Sequence, residues 1–448
     1  MPTRSSSTPL ASRLVFWFAF LGPVGKLIPI PGMPHSFRIY YLLLIPGIFF
    51  YLYRGISRRT FNHLLLMVPV VAYMTISSVF AYLATADTYQ NAEEGNPLIR
   101  MGLLIVLLLF TMCAGEQART FDVTQKISVL WAFMKGYLCT LIAGYIFFVG
   151  YYAHVFTLAF LTNFEVLVQT GFGLLRFSPG SYPNEYGIVS SFALSVLTLF
   201  LSWRNRLILA SSNGLYRFSL FATIAAYLLT LGALFLATTR AAYISYLLSL
   251  LYITFTQKTM RKKVVFGGRI VIGALLLLAC VEPFFNVLRI LEGGYNAFFN
   301  RENMANGRFN AWALALKLFL SHPYVGAGFG SVDMMHNVYL QMLFGLGIIG
   351  FSILLATSAV LLLHARGFRL DGLASAPITV SEAFLRRVRD IGLIHVTWFA
   401  LSNHNLNHFL TWYVVLLVFL CLPAIQPSTT QSPLATPPTR LRTPGLET

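Results

Sequence analysis

Long runs of apolar residues, separated by short polar stretches, recur along almost the whole chain of 448 residues. A helix needs about 20 apolar residues to cross the hydrocarbon core of a bilayer, and these runs are too long and too uniform for alternating barrel strands. The pattern predicts an all-α integral membrane protein with about twelve transmembrane helices. The last two predicted spans are short and can alternatively form a re-entrant pair. The predicted spans are 12–30, 37–53, 62–85, 98–114, 127–150, 183–203, 215–236, 238–257, 266–287, 336–363, 391–403 and 407–424.

Composition supports this class and separates the chain into two parts. Hydrophobic residues make up 57% of the sequence and charged residues 10%, whereas charged residues are roughly 25% of an ordinary soluble domain. Residues 1–425 are therefore predicted to form one polytopic membrane domain. Residues 426–448 are rich in Pro, Ser and Thr and carry few large apolar side chains. Such a segment cannot bury a core and is predicted to be a disordered cytoplasmic tail.

The distribution of Lys and Arg predicts the orientation. Basic residues gather in alternate loops, and loops rich in Lys and Arg stay on the cytoplasmic side. The prediction is an inner-membrane protein with both termini in the cytoplasm. The formal net charge of +17 then follows from this bias and from contact with membrane lipids, so no nucleic-acid partner is needed. The basic residues that share the predicted cytoplasmic face include Arg54, Arg58, Arg59, Arg204, Arg206, Arg217, Lys258, Arg261, Lys262, Lys263, Arg269, Arg366, Arg369, Arg386, Arg387 and Arg389.

The largest loop on the opposite, periplasmic face is 288–335, about 48 residues between the ninth and tenth spans. Within it, NGRFNAWALALKLFLSHP has apolar residues at helical spacing and predicts an amphipathic helix that ends before Pro323. The following GAGFG does not meet the GxGxxG pattern and follows no predicted strand, so nucleotide binding is rejected. We interpret it as a flexible connector that leads back into the membrane.

Several arginines on the predicted outer face come from separate parts of the chain and accompany one histidine. They are Arg176, Arg240, Arg289, Arg301 and Arg308, and the histidine is His336, at the start of the tenth span. Arginines with few acids nearby suit a diphosphate, because the guanidinium fork matches phosphate geometry and stays charged. Purely structural roles for these residues remain alternatives. Each arginine can pair with an acid such as Glu185 or with a lipid headgroup, and His336 can simply cap the span.

These residue types fit transfer from a lipid-linked donor. No nucleotide sugar is present outside the cell, so a bond-forming enzyme there needs a donor activated in advance, such as a polyprenyl-diphosphate sugar. Arginines stabilise the charge that develops on the departing diphosphate, and a neutral histidine accepts the proton of an attacking hydroxyl. The outer loops contain no DxD motif for Mg²⁺. The sequence therefore predicts a metal-independent reaction that uses no cofactor.

Four segments, in order, resemble a known family. SPGSYPNEYG, TTRAAY, NGRFNAWALALKLFLSHPYVGAGFG and HNVYLQMLFGLGIIG are similar to the signature of the bacterial O-antigen ligase and surface-polysaccharide polymerase family, over about 170–363. The resemblance implies a multi-span glycosyltransferase that acts at the periplasmic face on an undecaprenyl-diphosphate-linked glycan. It implies that His336 is the base and that Arg176, Arg240 and Arg308 bind the diphosphate.

The sequence leaves several alternatives open. The acceptor is lipid A-core for a ligase and the next repeat unit for a polymerase, and the shared motif does not separate the two. A lipid-linked oligosaccharide flippase, another polytopic transporter or a scaffold in envelope assembly would have a similar composition. The sequence also leaves open whether other outer residues join the site. Those residues are Arg289, Arg301, His404 and His408.

Overall fold

The structure is a computed structural model that describes most of the helical core. The described residues are 17, 19–21, 24, 44–45, 47–49, 58–85, 97–119, 121–169, 175–180, 183–210, 218–257, 259–261, 263–268, 312–313, 315–329, 337–366, 379–402 and 409–421. The first two predicted spans lie largely outside these ranges, and the ninth almost entirely so. The count of about twelve spans, the ninth span and the tail 426–448 accordingly stay predictions.

Ten helices and one hairpin make up the described elements. The helices are α1 Arg58–Thr85, α2 Pro97–Arg119, α3 Val123–Tyr152, α4 Leu158–Asn163, α5 Pro183–Ala210, α6 Leu220–Ala237, α7 Arg240–Phe255, α8 Val338–Arg366, α9 Val380–Ser402 and α10 Phe409–Leu420. Helical residues also occur at 312–321, which matches the amphipathic helix predicted before Pro323. The strands are β1 Leu167–Gln169 and β2 Leu175–Phe177.

Five of the described helices are long and apolar enough to cross a membrane, which confirms a mostly helical, multi-pass membrane protein. They contain the stretches Phe61–Leu83, Val123–Tyr152, Pro183–Leu209, Leu220–Ala237 and Val338–Val360. Only 28% of the most apolar part of α1 is buried, and hydrocarbon rather than water suits such a surface. Exposed apolar side chains include Phe80 on α1 and Phe221 on α6.

Helix α5 is the centre of the larger of two packed groups. In its most apolar stretch 89% of the residues are buried, and it contacts α6, α7, α9 and α10. Buried hydroxyls join these helices: Ser191 Oγ lies 3.1 Å from Ser245 Oγ of α7. Small hydroxyl residues let membrane helices approach closely and hydrogen-bond to each other. In the second group, α1 packs on α2 and α8, and contacts between α2 and α10 join the two groups.

The structure departs from the predicted elements in two places. Residues 151–182 were predicted as a loop in an all-α fold, but they contain an antiparallel hairpin in which Val168 pairs with Arg176. Strands of three residues are too short to show a period of two. The eleventh span was predicted as 391–403, whereas α9 begins at Val380. Its first half carries arginines, which lowered the apparent hydropathy although Phe384 and Val388 on that half are buried.

Candidate functional site

Arg176 lies on β2, and its side chain reaches the turn between α6 and α7. Nε donates to the carbonyl oxygen of Ala237 at 2.9 Å, and Nη2 donates to Oγ1 of Thr239 at 2.7 Å. Ala237 is the last residue of α6, and carbonyls at a helix C-terminus attract cations. The hairpin therefore holds Arg176 against the end of α6.

The turn itself consists of Thr238 and Thr239. Thr238 has a left-handed backbone with φ 48°, and Thr239 is 2% exposed. Oγ1 of Thr239 accepts from Arg176 and donates to the carbonyl oxygen of Pro183 at 2.8 Å. Pro183 is the first residue of α5. One hydroxyl thus ties the hairpin, the turn and the start of the central helix together.

Glycine at position 187 allows this contact. A Cβ at Gly187 would lie 2.9 Å from both Cβ and Cγ2 of Thr239, which is closer than side-chain carbons approach without displacement. Any larger residue would push the turn away from the first turn of α5. Glu185, in that same first turn, is fully buried, so an acid also lies inside this end of the bundle.

Arg240 is the first residue of α7 and is exposed. Burial lowers the pKa of the Arg176 guanidinium to about 10; Tyr243 acts in the opposite direction and the charge of Arg240 adds to the decrease. Arg176 therefore stays protonated near neutral pH. The two arginines, from separate segments, lie close enough to repel each other at one end of the bundle, and a bound anion would relieve that repulsion.

The start of α7 also suits an anion. Its N-cap, Thr239, makes no side-chain hydrogen bond to the helix, because its hydroxyl serves Arg176 and Pro183 instead. Amide N–H groups in the first turn of a helix carry a partial positive charge. Two guanidinium groups and a helix N-terminus therefore share this position, which we call the arginine end.

The other two predicted site residues, Arg308 and His336, lie outside the described residues, as do Arg289, Arg301, His404 and His408. The next residue after His336 is described. Oδ1 of Asn337 accepts from the amide of Leu340 at 3.0 Å, so Asn337 is the N-cap of α8. The capping role considered for position 336 belongs to position 337. Where the His336 side chain points stays a prediction.

The glycine-rich segment that leads towards His336 is a packed element in its described part, and its interpretation as a flexible connector is wrong there. Helix α8 breaks at Gly347, where φ is 66° and ψ is −177°, a conformation that side chains with a Cβ rarely adopt. Residues 323–329 lie against this break. A Cβ on Gly347 would collide with Gly326 N and Tyr324 O. We call residues 323–329 and 344–349 together the glycine joint.

Backbone groups freed by the break find partners across the glycine joint. On the segment side, Ala327 N donates to Phe344 O and Gly328 N to Gly345 O, both at 3.0 Å. On the helix side, Ile348 N donates to Pro323 O at 2.9 Å. These bonds replace the intrahelical ones that the break removes, so the segment is anchored to α8 rather than free.

Helix α1 adds two side chains to the glycine joint. The hydroxyl of Tyr73 donates to Leu346 O at 3.1 Å, and Oγ of Ser77 accepts from Phe329 N at 2.9 Å. Sequence reasoning missed Tyr73, Ser77 and Thr239. Only Thr239 had a local signal, because it precedes the arginine of TTRAAY. Tyr73 and Ser77 bind backbone groups that lie about 250 positions away in sequence, which no local pattern reveals.

One part of the chain is similar to a known protein family. A family model described as O-antigen ligase matches residues 224–355. The matched range contains Arg240, Arg308 and His336, together with the glycine joint, and begins after Arg176. Comparison with curated proteins gives no match.

Proposed function

We propose that this chain, which matches a family model described as O-antigen ligase over residues 224–355, transfers an undecaprenyl-diphosphate-linked glycan to a sugar hydroxyl at the periplasmic face of the inner membrane. The acceptor is lipid A-core if the enzyme is a ligase and the next repeat unit if it is a polymerase. The observation that carries the proposal is the convergence of Arg176 and Arg240 at the arginine end.

The arginine end suits the diphosphate of the donor. In the transfer, the acceptor oxygen bonds to the anomeric carbon while the bond from that carbon to the diphosphate oxygen breaks. Negative charge grows on the leaving diphosphate, and preorganised cations stabilise it without a proton transfer. Arg176 is held by two hydrogen bonds, so it needs little reorganisation as the charge develops. Arg240 supplies a second, exposed cation.

We assign Arg308 to the same diphosphate and the role of general base to His336, which would take the proton of the acceptor hydroxyl. The unperturbed pKa of histidine, about 6.5, suits that role near neutral pH. Charge stabilisation by three arginines makes a metal ion unnecessary in this scheme. Direct displacement with one base and no carboxylate nucleophile predicts inversion at the anomeric carbon.

The alternative is a lipid-linked oligosaccharide flippase or another transporter, and the break in α8 is the observation that favours it. Transporters often bind substrate at discontinuous helices near mid-membrane. At Gly347, however, hydrogen bonds from the glycine joint and Tyr73 engage the freed backbone groups. A break closed in this way supports a structural joint more than a binding site, so we favour the transferase.

The test is the surface polysaccharide, resolved by gel, of a deletion strain complemented with wild type, His336→Ala or Arg308→Lys. His154→Asn is the control, because His154 is exposed, lies in a predicted outer loop and has the positive φ that Asn tolerates. We expect both site variants to reach the membrane, to lose polysaccharide and to accumulate the lipid-linked donor outside.

The residual product separates the two forms of the proposal. Single repeats left on the core would identify a polymerase, and bare core with long carrier-linked chains would identify a ligase. Full complementation by both site variants would reject the transferase. Donor that accumulates on the cytoplasmic leaflet would favour the flippase instead.

A further inference from the structure

Three residues at the opposite end of α5 form a second basic site, which we call the Trp203 cluster: Trp203, Arg206 and Arg387, with Arg204 next to Trp203 in the chain. Trp203 lies 20 positions after Pro183, which places it about 30 Å along the helix from the arginine end. The Cζ atom of Arg387 lies 4.9 Å from the centre of the indole, and that of Arg206 lies 5.7 Å from it. Two cations therefore contact one buried ring within the range of cation–π attraction.

The arginines of the cluster and Arg204 have few hydrogen-bond partners. Nη2 of Arg387 donates to Thr256 O at 3.0 Å, and Nη2 of Arg204 donates to Phe218 O at 2.9 Å. These partners are neutral carbonyls, and the first caps the C-terminus of α7. Nη1 of Arg387 and Nε of Arg204 are buried without a hydrogen-bond partner in the described part of the chain. Those two atoms are enclosed by protein, so a ligand reaches the cluster through Arg206, which is half-buried and donates no hydrogen bond in the described structure.

The nearest acid does not supply that acceptor. Oδ1 of Asp390 accepts from Nε and Nη2 of Arg389 at 2.9 and 2.7 Å, and Oδ2 accepts from the Tyr252 hydroxyl at 2.6 Å. Within the described ranges, neither Arg204, Arg206 nor Arg387 forms an ion pair with a carboxylate. Asp390 attracts Arg387 without a hydrogen bond to it, and the charge of Arg206 repels Arg387. The cluster therefore carries an excess of positive charge and of unused donors.

We propose that the Trp203 cluster binds the phosphate of an anionic phospholipid headgroup. Guanidinium forks match phosphate oxygens, and basic pockets between membrane helices bind acidic headgroups on the cytoplasmic side, where the positive charges predict this end to lie. Exposed apolar side chains adjoin the cluster, as an acyl chain requires. Leu209, one turn after Arg206, is 88% exposed, and Phe255, next to the partner of Arg387, is 67% exposed.

Lipid is a better ligand for this geometry than a free phosphate ion. Leu209 and Phe255 contact bilayer hydrocarbon in either case. Anionic headgroups, however, are concentrated at the cytoplasmic membrane surface, where this end is predicted to lie, and a free ion is not. The proposal does not depend on the transferase reaction, because the cluster and the arginine end lie at opposite ends of α5.

The test counts lipids bound to the full chain by native mass spectrometry during titration with phosphatidylglycerol, with phosphatidylcholine as the neutral comparison. The variants are Arg206→Gln and Arg387→Gln. Arg206 contacts the indole but makes no hydrogen bond in the described structure, so its replacement leaves the hydrogen bonds between helices intact. Arg386→Gln is the control, because Arg386 is exposed beside Arg387 and its replacement removes the same charge.

We expect wild type and Arg386→Gln to retain one tightly bound phosphatidylglycerol. Each cluster variant should weaken that binding about tenfold, while phosphatidylcholine is not retained by any form. An equal loss in Arg386→Gln would show that diffuse surface charge binds the lipid and would overturn the proposal. In a parallel titration, inorganic phosphate is added to the protein in phosphatidylcholine. This titration distinguishes the phosphate of a lipid from a free phosphate ion. If free phosphate binds and phosphatidylglycerol does not displace it, the cluster is a site for a soluble anion and the lipid assignment fails.

Discussion

The substitution Thr239→Val isolates the hydroxyl that links three elements at the arginine end. Valine has nearly the same shape as threonine, so packing against Gly187 changes little. The loss is confined to the bonds of this hydroxyl, which accepts from Arg176 at 2.7 Å and shares its proton between Pro183 O at 2.8 Å and Ala237 O at 3.2 Å. Thr239 is 2% exposed, so water does not readily replace the hydroxyl.

The magnitude follows from the kinds of bonds lost. A hydrogen bond from a charged donor contributes about 1.5–3 kcal/mol. The bond from the neutral hydroxyl to Pro183 O contributes about 0.5–1.5 kcal/mol, because that carbonyl keeps its partner within α5. Together they predict that the free energy of unfolding falls by roughly 2–4.5 kcal/mol. The loss of one of the two tethers of Arg176 should also slow glycan transfer about tenfold, since a displaced cation stabilises the leaving diphosphate less well.

The assay compares thermal unfolding of the detergent-purified full chain with transfer activity in membranes below the unfolding midpoint. Thr254→Val is the matched control, because Thr254 also lies on α7 but its hydroxyl bonds only to Leu250 O of its own helix. Thr239→Ser should restore both stability and activity. If Thr239→Val unfolds at the same temperature as Thr254→Val and transfers at the wild-type rate, the hydroxyl does not hold the arginine end together.

Three further predictions concern the glycine joint and the proposed base. Gly347→Ala should lower the unfolding midpoint strongly, because the φ of 66° at this position disfavours a side chain and the new Cβ would collide with residues 323–329. Gly102→Ala is the control and should not lower the midpoint, because a Cβ at Gly102 would enter open space. Tyr73→Phe should cost about 0.5–1.5 kcal/mol of unfolding free energy through the lost bond to Leu346 O, and an unchanged midpoint would remove Tyr73 from the joint. Transfer should slow as the pH falls through about 6.5, where a histidine base becomes protonated. Arg176, with a pKa of about 10, should stay charged throughout, so a flat rate between pH 5 and 8 would contradict the role of His336.

The sequence was most informative where structure depends on local composition. Apolar runs predicted α1, α5 and α8 to within several residues, because a membrane helix satisfies its own backbone and needs only length and hydropathy. The gap between the predicted spans 215–236 and 238–257 agrees with the observed turn at Thr238 and Thr239. The hairpin at β1 and β2 escaped prediction, since its stability comes from packing on α3 and α6 rather than from any pattern in its three-residue strands.

The glycine joint could not be predicted from a local stretch of sequence. GAGFG predicts flexibility because glycine permits many conformations, and this holds only while nothing else restricts the backbone. In the fold, the same absence of side chains allows residues 323–329 to approach the break at Gly347 closely enough for backbone hydrogen bonds. The partners come from α8 and from α1, about 250 residues away. No window of sequence contains both sides of that contact.

The arginine end likewise depends on contacts between distant segments of the chain. Arg176 lies outside the matched range 224–355, whereas Arg240 lies inside it, and only the fold brings the two together. The element that does so is Thr239, whose hydroxyl needs the close approach that Gly187 permits. A larger residue at position 187 would therefore displace the turn that precedes Arg240 and that Arg176 binds. Gly187→Ala should then disturb transfer as strongly as Thr239→Val while leaving every arginine in place. A Gly187→Ala enzyme with the wild-type rate and the wild-type unfolding midpoint would show that the turn tolerates displacement, and that the position of Arg176 is held by the hairpin alone.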